Sequence, residues 1–269
     1  MLVDLRIFAG YFNNVAKRKK QQSANKTLFI FIILPCLAMV AYYGFRYIYS
    51  PKFVHYSGFG IDIPVNYTIH GIDVSRHQSD IDWEEVKAMQ IKDIRIGFGF
   101  IKATEGVQNE DDQFINNWQA AKRAGIARGA YHFFVPSKSG VAQAENFISV
   151  VRLSKGDLPP VLDVEQLNST SVAKLQQGIS DWLTLVETHY HIKPIIYTNA
   201  AFYNSYLGSK FDGYPLWVAH YLVKDKPRIT RSWVFWQHNE TGLVNGIEHY
   251  VDFNVFNGDS SAFNNLLVK

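Results

Sequence analysis

Cysteine is almost absent. One residue, Cys36, in a chain of 269 excludes an intramolecular disulfide and any metal centre built on several thiolates. No glycine-rich phosphate loop opens a helix, so nothing favours a nucleotide-binding open sheet. Closely spaced histidines of the kind that hold a catalytic metal are scarce. The one His-x-His, His189–His191, follows a long helical pattern, which places it at the wrong end of a following strand. No metal or other cofactor is expected. A basic surface is missing too. The net charge of +3 comes from residues 1–27, where Arg6, Lys17, Arg18, Lys19, Lys20 and Lys26 face Asp4 alone. The remaining residues are slightly acidic and carry no nucleic-acid footprint.

What the chain does have is apolar and aromatic bulk, 47% and 15% of residues, enough for a substantial core. Residues 28–45 form an uncharged run that would cover about 27 Å as a helix. Lys17–Lys20 precede it, and Tyr42, Tyr43, Tyr47 and Tyr49 cluster at its far end. By the positive-inside rule the N-terminus is cytoplasmic and everything past about residue 50 is extracytoplasmic. A cleaved signal peptide is the competing reading, but its apolar run would be shorter and no small-x-small site follows. The organisation expected is a basic cytoplasmic tail (1–27), a transmembrane signal anchor (28–48), a linker interrupted by Pro51, Gly58, Gly60 and Pro64 (49–67), and one folded domain (68–269).

From residue 67 short β-rich runs alternate with amphipathic segments. Strands are expected at 69–75, 94–103, 128–134, 159–165, 193–199, 215–221, 233–238 and 250–256, and helices at 82–90, 111–124, 141–151 and 172–189. Strand–helix alternation with eight strands predicts an α/β fold, an irregular (β/α) barrel of TIM type whose last three strands are poor in helices. A doubly wound open sheet is the alternative.

Active sites of such barrels form at the C-terminal strand ends, and these ends are polar. They carry Asp73, Lys102 and Glu105, His132, Asp163 and Glu165, Tyr197 and Asn199, His220 and Tyr221, Gln237 and His238, and Asp252 and Asn254. The segment PPVLDVE is the most informative. Along a strand Asp163 and Glu165 face the same side, with Cα atoms about 6.6 Å apart. Two close carboxyls do not ionise equally easily. One supplies a proton to a leaving group beside an anion for a developing cation, as glycoside hydrolysis requires. The competing reading makes them solvated acids at a strand–loop junction, against which the preceding Pro-Pro-Val-Leu suggests a buried strand. Asp73 and Asp252 come from the first and last strands, which adjoin when a barrel closes; Asp73 could instead cap a loop or pair with Arg76.

The motifs HGIDVSRHQSDIDW (70–83), FGFIKATEG (98–106), GAYHFF (129–134), PPVLDVE (159–165), PIIYTN (194–199), LWVAHY (216–221), WVFWQH (233–238) and VDFNVFNG (251–258) occur in that order. Together they resemble the family 25 glycoside hydrolases, lysozymes of the Chalaropsis type, over about residues 68–260. The resemblance implies cleavage of the β-1,4 bond between N-acetylmuramic acid and N-acetylglucosamine in peptidoglycan strands. It makes Glu165 the general acid/base, Asp163 its assistant, and Asp73 and Asp252 the other acidic positions. Tyr131, Tyr197, Trp217 and Gln237 would line the sugar groove. It further implies substrate assistance with net retention. One barrel contains the whole site, so a monomer is expected, held at the membrane by the N-terminal helix. Three rivals stand beside this reading: a metal-dependent barrel hydrolase using His70, His132, His220 and His238, a glycan-binding module without turnover, and a hydrolase of chitin-like chains.

Overall fold

The computed structural model describes residues 32–33, 35–45 and 52–269, and contacts divide the chain into two compact units, Met1–Pro51 and Lys52–Lys269. In the first, residues 32–33 and 35–45 are helical, and Leu37, Met39 and Val40 are exposed. No helix among the described residues is long and apolar enough to cross a membrane. The expected anchor at 28–48 lies partly outside the described residues, and the tail at 1–27 wholly so.

The second unit opens with a hairpin, β1 (Phe53–Tyr56) and β2 (Ile61–Pro64), and continues into eight strands: β3 (His70–Val74), β4 (Ile94–Glu105), β5 (Ala127–Phe133), β6 (Val161–Asp163), β7 (Ile195–Asn199), β8 (Leu216–Ala219), β9 (Phe235–Gly242) and β10 (Val251–Phe256). From β3 to β9 each strand pairs in parallel with the next, β10 pairs antiparallel with β9, and β10 also pairs antiparallel with β3. The sheet therefore closes. It is an eight-stranded α/β barrel, but the all-parallel TIM pattern fails at its last strand. The reason is chain length. Residues 243–250 are too few for the crossover a parallel return requires, so the chain turns straight back.

Four helices cover the early strands: α1 (Trp83–Ala88), α2 (Phe114–Arg123), α3 (Gly140–Val150) and α4 (Val172–Tyr190). Asp82 starts α1 by accepting from the amides of Glu84 and Glu85 at 3.0 and 3.1 Å. Gly125, at φ 71°, takes the left-handed position just past α2. Strand β6 is shorter than the sequence pattern suggests because Pro159 and Pro160 have no amide hydrogen to give a ladder. The ladder nevertheless reaches Val164, whose N–H donates to the carbonyl of Tyr197 at 2.9 Å.

Two apolar layers result. One fills the space between barrel and helices; the other fills the barrel itself with Phe98, Phe100, Val161, Ile195, Trp217, Phe235 and Phe256. Gly71 and Gly129 sit opposite Phe98 and Phe100 in the ladder, and a methyl at either would come within 2.4–2.5 Å of those rings. Glycine thus makes room for the aromatic filling. A final helix, α5 (Ser260–Leu266), closes the floor by inserting Phe263 against Phe98, Phe235 and Phe256.

The stretch read as a linker contains the hairpin, which does the work of the missing helices. Phe53 packs on Trp236 and Phe59 on Phe253, with ring centroids 6.0 and 5.2 Å apart. The carbonyl of Phe59 accepts from Leu243 N–H at 2.9 Å. Its prolines and glycines signal a turn between strands rather than an unstructured connection. Phe59 is fully buried. Replacing it with alanine should cost about 3–5 kcal/mol of stability, read as a lower denaturant midpoint with the slope unchanged.

Candidate active site

The C-terminal ends of the parallel strands surround a cavity of about 580 Å³. Asp73, Tyr131, Asp163, Glu165, Tyr197, Trp217, Gln237 and Asp252 all line it. The eight residues singled out in the sequence are thus brought together. A larger hollow, about 710 Å³, lies elsewhere against α1 and α2; it has none of these groups.

The barrel closure builds one side. Asp252 lies opposite Asp73 in the β10–β3 ladder. Asp73 Oδ2 accepts from Gln237 Nε2 at 2.8 Å and from Asn254 Nδ2 at 2.7 Å. The amide oxygen of Asn254 accepts from Trp217 Nε1 at 2.7 Å. That of Gln237 accepts from the hydroxyls of Tyr197, at 2.7 Å, and Tyr221. Every amide and ring orientation in this chain of contacts is fixed by the next.

Burial raises Asp73 well above the ordinary carboxylate range, and the charge of Asp252 adds to it. Asp252 is pushed up to about 6, chiefly by burial, while its hydrogen bond with Asp73 works the other way. The two therefore share a proton, which Asp73 holds. Asp73 does not pair with Arg76; the Arg76 amide instead donates to Asp111 Oδ2 at 3.0 Å.

Asp163 ends β6 beside Phe133 and Tyr197. It is 7% exposed, and its Oδ1 makes no hydrogen bond among the described residues. Burial raises it strongly, with Glu165 and Asp73 adding to the effect and Lys102 opposing it. Glu165, half-buried, is also raised by burial, opposed by a hydrogen bond with Tyr197 and by Lys102. The pair titrates as a unit, and the deeper Asp163 is the more strongly raised of the two.

Lys102 was visible only as a strand-end charge. Its Nζ donates to Glu105 Oε2 at 2.6 Å and lies 4.9 Å from the centre of the Phe133 ring. A register shift between Lys102 and Thr104 sets this up. One extra residue turns Lys102 and Glu105 to the same side, and Thr104 toward His132. Bulges leave no mark in the alternation of residues. Asn254 and Tyr221, which the sequence showed only as polar strand ends, enter the site through their hydrogen bonds to Asp73 and Gln237.

The strand-end histidines serve packing. His132 lies outside the barrel against Phe147 and Trp182, with Nδ1 2.7 Å from Thr104 Oγ1. Burial lowers His132 and His238 to about 3 and His70 to about 4, so all three are neutral. His220 Nδ1 accepts from the Arg228 amide at 3.1 Å. Among the described residues no three His, Cys, Asp or Glu side chains are grouped to hold a metal.

Residues 72–247 match the family model described as glycosyl hydrolases family 25. The chain is 47% identical over 219 residues to the protein from Escherichia coli K12 described as uncharacterized protein YegX, covering 81% of this chain and 78% of that one. It is 38% identical over 209 residues to lysozyme M1 of Streptomyces globisporus, covering 72% and 69%. A solved family 25 glycosyl hydrolase from Bacillus anthracis superposes with a TM-score of 0.70 at 33% identity, covering 81% of this chain and 99% of that one.

The raised pKa of Asp252 has a measurable consequence of its own. Asp252 binds its proton more tightly folded, at about 6, than in an unfolded chain, near 4. Folding is then favoured below pH 4, and that contribution is lost as pH rises through about 6, at up to about 1.4 kcal/mol per pH unit for one proton. Thermal unfolding followed from pH 4 to 7 should show this decline, and Asp252→Asn should flatten it.

Proposed function

The chain belongs to glycosyl hydrolases family 25, and on that footing we propose that it is a lysozyme-type muramidase. It hydrolyses the β-1,4 bond between N-acetylmuramic acid and N-acetylglucosamine in peptidoglycan. The observation that carries this reading is the carboxyl pair of buried Asp163 and half-buried Glu165 at the mouth of a cavity walled by Tyr131, Tyr197 and Trp217.

The pair supplies one proton near neutrality. When an amino sugar binds, the N–H of its 2-acetamido group donates to the free oxygen of Asp163, which favours the Asp163 anion. The proton then rests on Glu165. Glu165 passes it to the glycosidic oxygen as the bond to the anomeric carbon breaks, and the acetamido carbonyl oxygen attacks that carbon from the opposite face. Asp163 stabilises the cationic ring so formed. Water next opens the ring, losing a proton to Glu165, and the anomeric configuration is retained. No carboxylate becomes covalently attached, so the separation rule for paired carboxyls does not apply. Asp73 and Asp252 hold the far wall, with Gln237 and Asn254 fixing the tyrosines and tryptophan on which the sugar rests.

The domain acts as a monomer carrying its whole site in one barrel. The uncharged run at 28–45, flanked by Lys17–Lys20, supports an N-terminal anchor with the barrel on the extracytoplasmic side. Such a placement suits local wall remodelling.

Released fragments from purified peptidoglycan should end in reducing N-acetylmuramic acid by mass spectrometry. Glu165→Gln should lower their release about 10²–10⁴-fold while glycan binding persists. Reducing N-acetylglucosamine ends would overturn the bond assignment, and undiminished release by the variant would remove Glu165 from the mechanism.

A further inference from the structure

A second hollow, about 350 Å³, opens beside the catalytic cavity. The two adjoin, with Asn199, Ala219 and Tyr221 in the linings of both. Their chemistry differs sharply. The catalytic cavity is rich in carboxyls, with Asp73, Asp163, Glu165, Glu240 and Asp252 against Lys102, and it disfavours anions. In the side hollow Ala200, Ala201 and Ala219 lie among Asn199, Asn204 and His220, with Arg228 at the edge and no carboxyl in the lining.

Arg228 belongs to the segment joining β8 to β9, where Lys224, Lys226, Arg228 and Arg231 face Asp225 alone. These cations are not equivalent. Arg231 is engaged by the Asp212 carboxylate at 3.4 Å and the carbonyls of Phe211, Asp212 and Tyr214. Arg228 is fixed through its backbone, which donates to His220 Nδ1 at 3.1 Å. Its exposed guanidinium has no ion-pair or hydrogen-bond partner among the described residues. The loop thus holds a planar cation, unpaired among the described residues, at the edge of a hollow that adjoins the catalytic cavity.

We propose that this hollow receives the peptide branch of the glycan, with Arg228 pairing a branch carboxylate. The inference deepens the muramidase reading and rests on it. The lactyl ether and first alanine of a muramyl peptide present methyl groups of a size for those three alanines, and carboxylates follow them along the branch. Guanidinium matches carboxylate in a planar fork. Unbranched chitin-like chains have nothing to place there, so the hollow is a determinant of specificity for branched over bare strands.

The test uses the full chain on two substrates: peptidoglycan with its peptides, and the same strands stripped of peptides by an amidase. Arg228→Ala should raise KM about fivefold on the branched substrate, the size of an exposed ion pair, with kcat unchanged. On stripped strands it should change nothing, and Arg228→Lys should restore part of the loss. An equal change on both substrates, or none on either, overturns the proposal. If the wild type cleaves neither, the muramidase reading falls instead. The hollow is then judged by calorimetry with N-acetylmuramyl-L-alanyl-D-isoglutamine on Glu165→Gln, with and without Arg228→Glu. Weaker binding with the charge reversed supports it, and equal binding overturns it.

Discussion

Everything at the mouth of the barrel depends on the seam where the first and last strands meet. There Asp73 and Asp252 lie side by side in the ladder. Two ionised carboxylates at such spacing, away from water, would repel by far more than a strand pair contributes. A retained proton converts the repulsion into a hydrogen bond, and closure becomes possible. The other Asp73 contacts follow from that choice. Gln237 and Asn254 both donate to its Oδ2, and their own oxygens take up Tyr197, Tyr221 and Trp217. The walls of the cavity are thereby set by one proton on the seam.

Such a mouth is costly. Asp163, with an oxygen that has no hydrogen-bond partner among the described residues, and half-buried Glu165 beside it add acidity opposed only in part by Lys102. The stability that tolerates it comes from beneath and around. The barrel interior is filled with interlocked rings, Phe100 stacking on Trp217 at 4.3 Å and Phe98 packing on Phe235 at 5.0 Å. Lower down, Arg128 pairs with Asp157 at 2.8 Å and lies 3.8 Å from the Trp118 ring centre. A tightly packed lower half supports the acidic mouth above it, the usual division of labour in barrels.

Much of this was legible in the sequence, and the failures have physical causes. Strand and helix positions could be read because burial imposes periods that residues display. The convergence of Asp73, Asp163, Glu165 and Asp252 followed from strand order alone. Strand direction at β10 was not legible as residues, since an antiparallel strand shows the same alternation; only the length of the preceding connection carried it. The hairpin at 53–64 was hidden because glycine and proline mark turns and linkers alike. The bulge between Lys102 and Thr104 left no pattern, and with it went the turning of Glu105 toward Lys102. The role of Arg228 depends on which neighbouring charges are already satisfied, and that is a property of packing, not of order along the chain.

The antiparallel return of β10 has one more effect, on timing. Residues 73 and 252 lie at opposite ends of the domain sequence, yet each is incomplete without the other. A growing chain of 250 residues has most of its helices, seven strands and the Asp163–Glu165 pair, but lacks Asp252, Asn254 and the Phe263 plug. Its barrel stands open, with no strand to pair beside Asp73 and no acceptor for the indole N–H of Trp217. Contacts of such long sequence separation form late. Completion of the catalytic mouth therefore waits on the last strand, and the order of the chain sets when the site can form.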